Sequence, residues 1–85
     1  MALKNSMTYC GLPVDYIVVI REQFAKEINK TRFSVAFYKN KEEREINVMN
    51  YVGQPLVYEM DGYKSMSHCY AYLKTLPMYE GAVDC

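Results

Sequence analysis

Apolar side chains follow two different periods along this chain, and the period changes near residue 60. Up to about Met60 apolar and polar positions alternate, which is typical of half-buried strands. From about residue 63 to residue 76 apolar side chains recur every three or four positions on one helical face: Met66, Cys69, Tyr70, Leu73 and Leu76. The pattern therefore predicts a small sheet followed by a single helix.

The strand-like part divides at polar and turn-forming residues. Residues 25–31 form a polar connection, and the mixed-charge run 39–45 is typical of a solvated hairpin loop. The last strand-like segment is short enough to be an extended connection instead, so we expect about four strands, mostly paired in chain order. The segments with strand character are residues 5–10, 14–24, 32–39, 45–52 and 56–60.

The helix has candidate signals at both ends. Asp61 can cap its start by accepting an amide hydrogen bond in the first turn. Pro77 stops it, because the residue before a proline is pushed out of the α region. Residues 78–85 then form a tail that is either free or docked on a neighbouring protein, with Tyr79 and Val83 as anchors and Asp84 meeting a basic group.

These elements predict an α+β fold in one domain, residues 1–85: an antiparallel, meander-like sheet with the C-terminal helix packed on one face. The helix should meet Phe33, Val35 and Phe37, together with alternate residues of the segment 14–20. The opposite face is too apolar for open water, so we expect it to be an assembly surface. Its predicted residues are Ile17, Val19, Ala36, Tyr38, Met49 and Tyr51.

Composition narrows the class of partner. Ten basic and ten acidic side chains cancel, which disfavours a nucleic-acid-binding domain, since such domains carry a basic stripe. Zero net charge favours association, and nine tyrosines are more than a small core should bury. The longest apolar run, residues 16–20, is too short to span a membrane. No apolar signal segment opens the chain, so we expect synthesis in a cytoplasm.

No motif for catalysis, cofactor binding or metal binding stands out. The cysteines Cys10, Cys69 and Cys85 are odd in number and widely spaced, which disfavours a disulfide framework. His68 and Cys69 are neighbours, but adjacent helical residues point about 100° apart and make a poor catalytic or metal-binding pair. We therefore expect no enzyme activity, no cofactor and no small-molecule substrate.

The last part of the chain resembles a group of small tailed-bacteriophage proteins. The resemblance rests on residues 70–77 (Tyr-Ala-Tyr-Leu-Lys-Thr-Leu-Pro), residues 81–85 (Gly-Ala-Val-Asp-Cys) and, at the start, residues 1–4 (Met-Ala-Leu-Lys). Proteins of this group are usually encoded near tail and tail-fibre genes. The resemblance implies phage origin and a place in the tail, baseplate or fibre region, and it supplies no catalytic or binding residue.

Together these features predict a virion structural or accessory protein, at the tail tip, the baseplate or a fibre attachment. It would contact other phage structural proteins and form a homo-oligomer or associate with a ring. The alternative is a soluble early phage protein that inhibits a host or defence protein by masking its surface. The predicted interface residues are Ile17, Val19, Tyr38, Met49, Tyr51, Tyr79 and Val83.

Overall fold

Five antiparallel strands form the sheet of this α+β protein, in the spatial order β4-β3-β2-β1-β5. The computed structural model describes residues 2–85; Met1, which the sequence analysis includes in the domain, lies outside them. The first four strands pair in chain order, as expected, and the fifth joins the far edge beside β1. The strands are β1 (Leu3–Tyr9), β2 (Leu12–Ala25), β3 (Lys30–Tyr38), β4 (Leu56–Asp61) and β5 (Val83–Asp84).

The predicted C-terminal helix is present but shorter than expected. Helix α2 spans Met66–Lys74, and its N-cap is Ser65 rather than Asp61, which ends β4. Ser65 is a better cap because His68 completes a capping box: the Ser65 hydroxyl accepts the His68 N–H, and His68 Nδ1 accepts the Ser65 N–H at 3.3 Å. Between β4 and Ser65, the Lys64 N–H donates to the Thr31 hydroxyl at 2.9 Å.

The core lies between α2 and one face of the sheet. Cys69, Tyr70 and Leu73 of the helix are buried against Phe33, Val35 and Phe37, as the sequence pattern predicted. In β2, however, Ile17 and Val19 lie on this helix-covered face, because they pair directly with Phe37 and Val35. Their assignment to the opposite face was therefore wrong. The middle of β2 is apolar on both sides, so alternation alone could not decide its orientation.

The segment after β3 differs from the expected loop and strand. Residues 41–46 form a short helix, α1 (Lys41–Ile46), where a solvated loop was predicted. Asn40 begins it by accepting the Glu43 N–H on its side-chain oxygen at 2.9 Å, and Glu42 and Glu43 suit the positive N-terminal end. Residues 47–52 form a turn and irregular chain rather than part of the strand expected over 45–52, and β4 takes the place beside β3 instead.

The C-terminal segment folds back on its own sheet, so the expectation of a free tail was wrong, whereas docking of its exposed Val83 on a neighbour stays a prediction. Pro77–Tyr79 form a 3-10 turn that buries the Tyr79 side chain in the core. Val83 and Asp84 then pair with Lys4 and Leu3 as β5. Asp84 does meet a basic group, but that group is Lys74 of α2, at 2.8 Å.

Candidate protein-binding site

The sheet face away from α2, here called the open face, has Val18, Ala36 and Tyr38 at its centre. It is less open than predicted, because the chain covers part of it. The Tyr38 hydroxyl donates to the Val48 carbonyl at 2.7 Å, and the Tyr51 ring meets the Tyr38 ring edge-on at 6.4 Å. All three central side chains are consequently buried, and they cannot contact a partner without rearrangement.

Arg44 of α1 contributes to this cover. Its guanidinium carbon lies 5.8 Å from the centre of the Tyr38 ring, a distance at which the cation is attracted to the ring face. Tyr16 and Ile20 flank the same cluster and remain half-buried. Helix α1 and the turn residues after it therefore partly cover the centre of the open face, and together they are called the lid.

The same lid carries a run of exposed apolar side chains, here called the apolar segment (residues 46–49). Ile46, Val48 and Met49 have exposed fractions of 75%, 56% and 60%. The segment is held in a defined conformation: Asn47 accepts the Met49 N–H on its side-chain oxygen at 2.9 Å, and the Asn50 N–H donates to the Asn47 carbonyl at 3.0 Å. Apolar groups are thereby presented to solvent on a short structured turn.

A groove of about 370 Å³ adjoins the apolar segment. Met49 forms part of its wall, so an apolar side chain of a partner could enter beside Met49 and meet the Tyr51 ring. The lining is half apolar and half polar or charged: Met49, Tyr51 and Val52 on the one hand, and Lys39, Glu43 and Asn50 on the other.

The other end of the open face is charged. Glu59 of β4 lies 3.0 Å from Arg32 and 3.4 Å from Lys30, and Lys30 also lies 3.5 Å from Asp61. Hydrogen bonds from Arg32 and Lys30 lower the pKa of the Glu59 carboxyl, and Glu59 in turn raises the pKa of Lys30. These exposed pairs contribute little to stability, but they give this end of the sheet a fixed arrangement of charge.

The predicted interface residues fall into three groups. Ile17, Val19 and Tyr79 are core residues beneath α2, with exposed fractions of 0%, 4% and 0%, so they were wrongly placed at an interface. Tyr38 and Tyr51 lie on the open face, the first buried and the second half-buried. Met49 and Val83 are exposed, on the apolar segment and on β5 respectively, and whether they bind a partner stays a prediction.

The surplus of tyrosine is largely explained by the core. Tyr9, Phe37, Tyr79, Tyr58 and Phe33 form a continuous series of ring contacts under α2, with centroids 4.1 to 6.5 Å apart. The Tyr58 and Tyr79 hydroxyls are hydrogen-bonded to each other at 2.9 Å, which satisfies both within a mostly apolar layer. Most tyrosines therefore serve the fold, and their number is weaker evidence for a partner than the sequence indicated.

His68 and Cys69 have different surroundings and do not form a pair. His68 is exposed and caps α2, whereas the Cys69 thiol is buried in the core, where desolvation raises its pKa. Within residues 2–85, no group of three or more His, Cys, Asp or Glu side chains could hold a metal ion. In the same part of the chain, no helix has the length and apolar character needed to cross a membrane.

Sequence reasoning did not single out Ile46, Val48 or Val57 as exposed. Ile46 and Val48 fit the alternation of one strand face. The only local signal against a strand was the two asparagines Asn40 and Asn47, which cap the two ends of α1. Val57 follows the alternation of a strand. Its exposure depends on the position of β4 at the edge of the sheet, which is set by the tertiary structure and not by the local sequence.

Comparison of the chain with protein-family models, with curated proteins and with solved structures gave no match in any of the three.

Proposed function

We propose that this protein is a structural or accessory component of a bacteriophage virion, in the tail tip, baseplate or fibre region, that acts by binding other virion proteins. The observation that carries the binding role is the apolar segment 46–49, which exposes Ile46, Val48 and Met49 from a hydrogen-bonded turn. Exposed apolar side chains grouped on an ordered surface are typical of protein interaction sites. The phage assignment rests on the resemblance of residues 70–77 and 81–85.

The proposed contact is protein to protein and non-catalytic. A partner side chain would enter the groove beside Met49 and pack on Met49 and Tyr51, while Lys39 and Glu43 at the groove wall pair with polar groups at the rim. Interfaces of this type combine an apolar centre with a polar border. Partners are other phage structural proteins, with further copies of this chain in a ring as one arrangement. Neither a cofactor nor a small-molecule substrate enters the proposal.

The test is incorporation of surface variants into particles. The double substitution Ile46→Lys and Met49→Lys changes two exposed positions, so the fold should be kept while the apolar surface is lost. Leu12→Lys is the matched control, since Leu12 is also apolar and 47% exposed but is the first residue of β2, away from the apolar segment. The variants would be supplied in infected cells that lack the wild-type gene, and purified particles would be assayed for the protein.

We expect the control to enter particles at the wild-type level and the double variant to be depleted at least tenfold. Equal incorporation of both variants would contradict the role of the apolar segment. Absence of the wild-type chain from particles would contradict the virion role itself and would favour the alternative, a soluble inhibitor of a host protein.

A further inference from the structure

The outer edge of β4 has backbone groups that point away from the sheet. The Gly62 N–H donates to the Asn29 carbonyl and the Val52 N–H donates to the Phe37 carbonyl, both at 2.7 Å. These two bonds lie just beyond the ends of the β3–β4 ladder, and they show that odd-numbered residues of β3 direct their backbone groups towards β4.

The register then determines which groups of β4 face outward. The odd-numbered residues Thr31, Phe33 and Val35 pair with Met60, Tyr58 and Leu56, which therefore bond to β3. The N–H and C=O groups of the alternate residues of β4 point to the other side, where β4 is the last strand and residues 2–85 supply no hydrogen-bond partner. These alternate residues are Val57, Glu59 and Asp61.

The side chains along this edge have a definite charge pattern. Val57, Glu59 and Asp61 lie on the open face, and Val57 and Asp61 are strongly exposed. Lys30 and Arg32, which neutralise Glu59, lie one strand further in. A strand added outside β4 would therefore meet the two carboxylates first, about 5 Å away, and the two cations only at about twice that distance.

We propose that the outer edge of β4 binds an extended segment of a partner protein as a sixth, antiparallel strand, with basic side chains opposite Asp61 and Glu59 and an apolar side chain opposite Val57. The main chain would supply three outward N–H and C=O pairs, and the side chains would set the choice of partner. This inference deepens the proposed protein-binding function, on which it rests, by stating the chemistry of one partner.

A second copy of this chain fits the edge less well. The register that aligns all three outward residues places Glu59 opposite Glu59 of the other copy. A shift by one pair places it opposite Asp61 in one direction and opposite Val57 in the other, where only two outward residues are aligned. Like charges directly opposite each other in a sheet are destabilising. Acidic side chains on an exposed strand are a known means of preventing edge-to-edge self-association. The same two residues attract a basic strand.

The experiment is a titration of the whole protein with two synthetic peptides, followed by the backbone amide signals in nuclear magnetic resonance. The first peptide is acetyl-Ser-Lys-Thr-Lys-Thr-Val-Ser-amide, which places lysines opposite Asp61 and Glu59 in the antiparallel arrangement. The second has Glu in place of both lysines. We expect the basic peptide to shift and protect the amides of Val57, Glu59 and Asp61, and to bind about fivefold more tightly than the acidic peptide.

Two variants separate strand addition from simple charge attraction. Val57→Pro removes an outward N–H and no bond to β3, so it should keep the fold and abolish binding of the basic peptide. Val57→Ala keeps that N–H and should bind within about twofold of the wild type. Asp61→Asn should reduce the preference for the basic peptide. Amide signals that keep their positions in residues remote from the substitution are the readout that each variant remains folded.

Any of three results would overturn the proposal: no binding of the basic peptide at millimolar concentration, equal binding of both peptides, or a dimer in light scattering that Val57→Pro dissociates. None of these results decides whether the protein is in the virion, which particle composition tests separately. Failure of the edge proposal and failure of the proposed function are therefore distinguishable.

Discussion

The hydroxyl of Tyr70 accepts a hydrogen bond from the backbone N–H of Val19 at 2.8 Å, and it thereby joins α2 to β2. Within residues 2–85, the pairing of β1 with β2 reaches to Leu3 opposite Ile17. The Tyr70 hydroxyl is the acceptor for the Val19 N–H, two residues further along β2. Val19 and Tyr70 are both buried, and a buried N–H without a partner would be costly.

The hydrogen bond between Tyr70 and Val19 should contribute measurably to the free energy of unfolding. Tyr70→Phe keeps the ring in the core and leaves the Val19 N–H without its acceptor, so we expect a loss of about 1–3 kcal/mol in the free energy of unfolding. Tyr72→Phe is the control, because Tyr72 also packs by its ring on Phe33 but takes no part in this bond. Urea denaturation of both variants measures the difference; an equal effect in the two would argue against a special role for the Tyr70 hydroxyl.

The protein should lose stability at alkaline pH because of its buried phenols. Burial and the hydrogen bond with Tyr58 raise the pKa of Tyr79 far above its ordinary value of 10.0, and burial also raises the pKa of Tyr70. A raised pKa means that the contribution to stability is complete below pH 10 and is lost as the pH rises above it, since the unfolded chain then ionises while the folded one resists.

Thermal unfolding between neutral pH and high pH, with tyrosinate absorbance recorded in parallel, tests this expectation. Tyr79→Phe removes the titrating group and should flatten the alkaline decline relative to the wild type, although it lowers stability at neutral pH. A wild-type protein whose tyrosines all ionise while the fold persists would contradict the burial of Tyr79.

The start of α2 depends on its capping box. Ser65→Ala removes the hydroxyl that accepts the His68 N–H, and we expect a loss of about 1 kcal/mol. Ser65→Asp keeps an acceptor at the cap and adds a negative charge at the helix N-terminus, so it should retain stability close to the wild type. Circular dichroism during urea unfolding gives both values; a fully stable Ser65→Ala variant would show that the cap is dispensable.

Because the C-terminal segment folds onto the sheet, two substitutions in it should differ widely in the free energy of unfolding that they cost. Tyr79→Ala empties a fully buried aromatic site and should cost about 3–5 kcal/mol, in the range for large aromatic truncations. Asp84→Asn breaks only the exposed ion pair with Lys74 and should cost less than about 1 kcal/mol. Chemical denaturation of the two variants separates these effects. If Tyr79→Ala were as mild as Asp84→Asn, the segment would not be part of the core.

The sequence allowed prediction of those elements whose local signal agrees with their tertiary role. β3 alternates cleanly and α2 has one apolar face, so the contact of Cys69 and Leu73 with Phe33 and Phe37 was foreseeable. The face of β2 that α2 covers was not foreseeable, because all residues from Tyr16 to Ile20 are apolar. Only the pairing of Ile17 with Phe37 decides which side chains α2 covers.

The N-cap of α1 and the return of the C-terminal segment to the sheet account for the other differences between prediction and structure. Asn40 starts a helix that the mixed charges of residues 41–45 permit but do not require. Val83 shows no strand pattern of its own and becomes β5 only because Lys4 offers an edge beside it. Of the predicted interface, Met49 and Val83 are exposed, whereas Ile17, Val19 and Tyr79 serve the core. Apolar residues in so small a chain satisfy either role equally well, and only the packed structure separates them.

The most direct test of the proposed virion role is quantitative mass spectrometry of purified particles of the phage proposed to encode this chain, with the major tail protein as the internal standard. We expect the protein at a constant ratio to that standard across preparations, at a copy number that is a multiple of three or six, as the symmetry of tail rings requires. Abundance in infected cells combined with absence from purified particles would contradict a structural role in the virion.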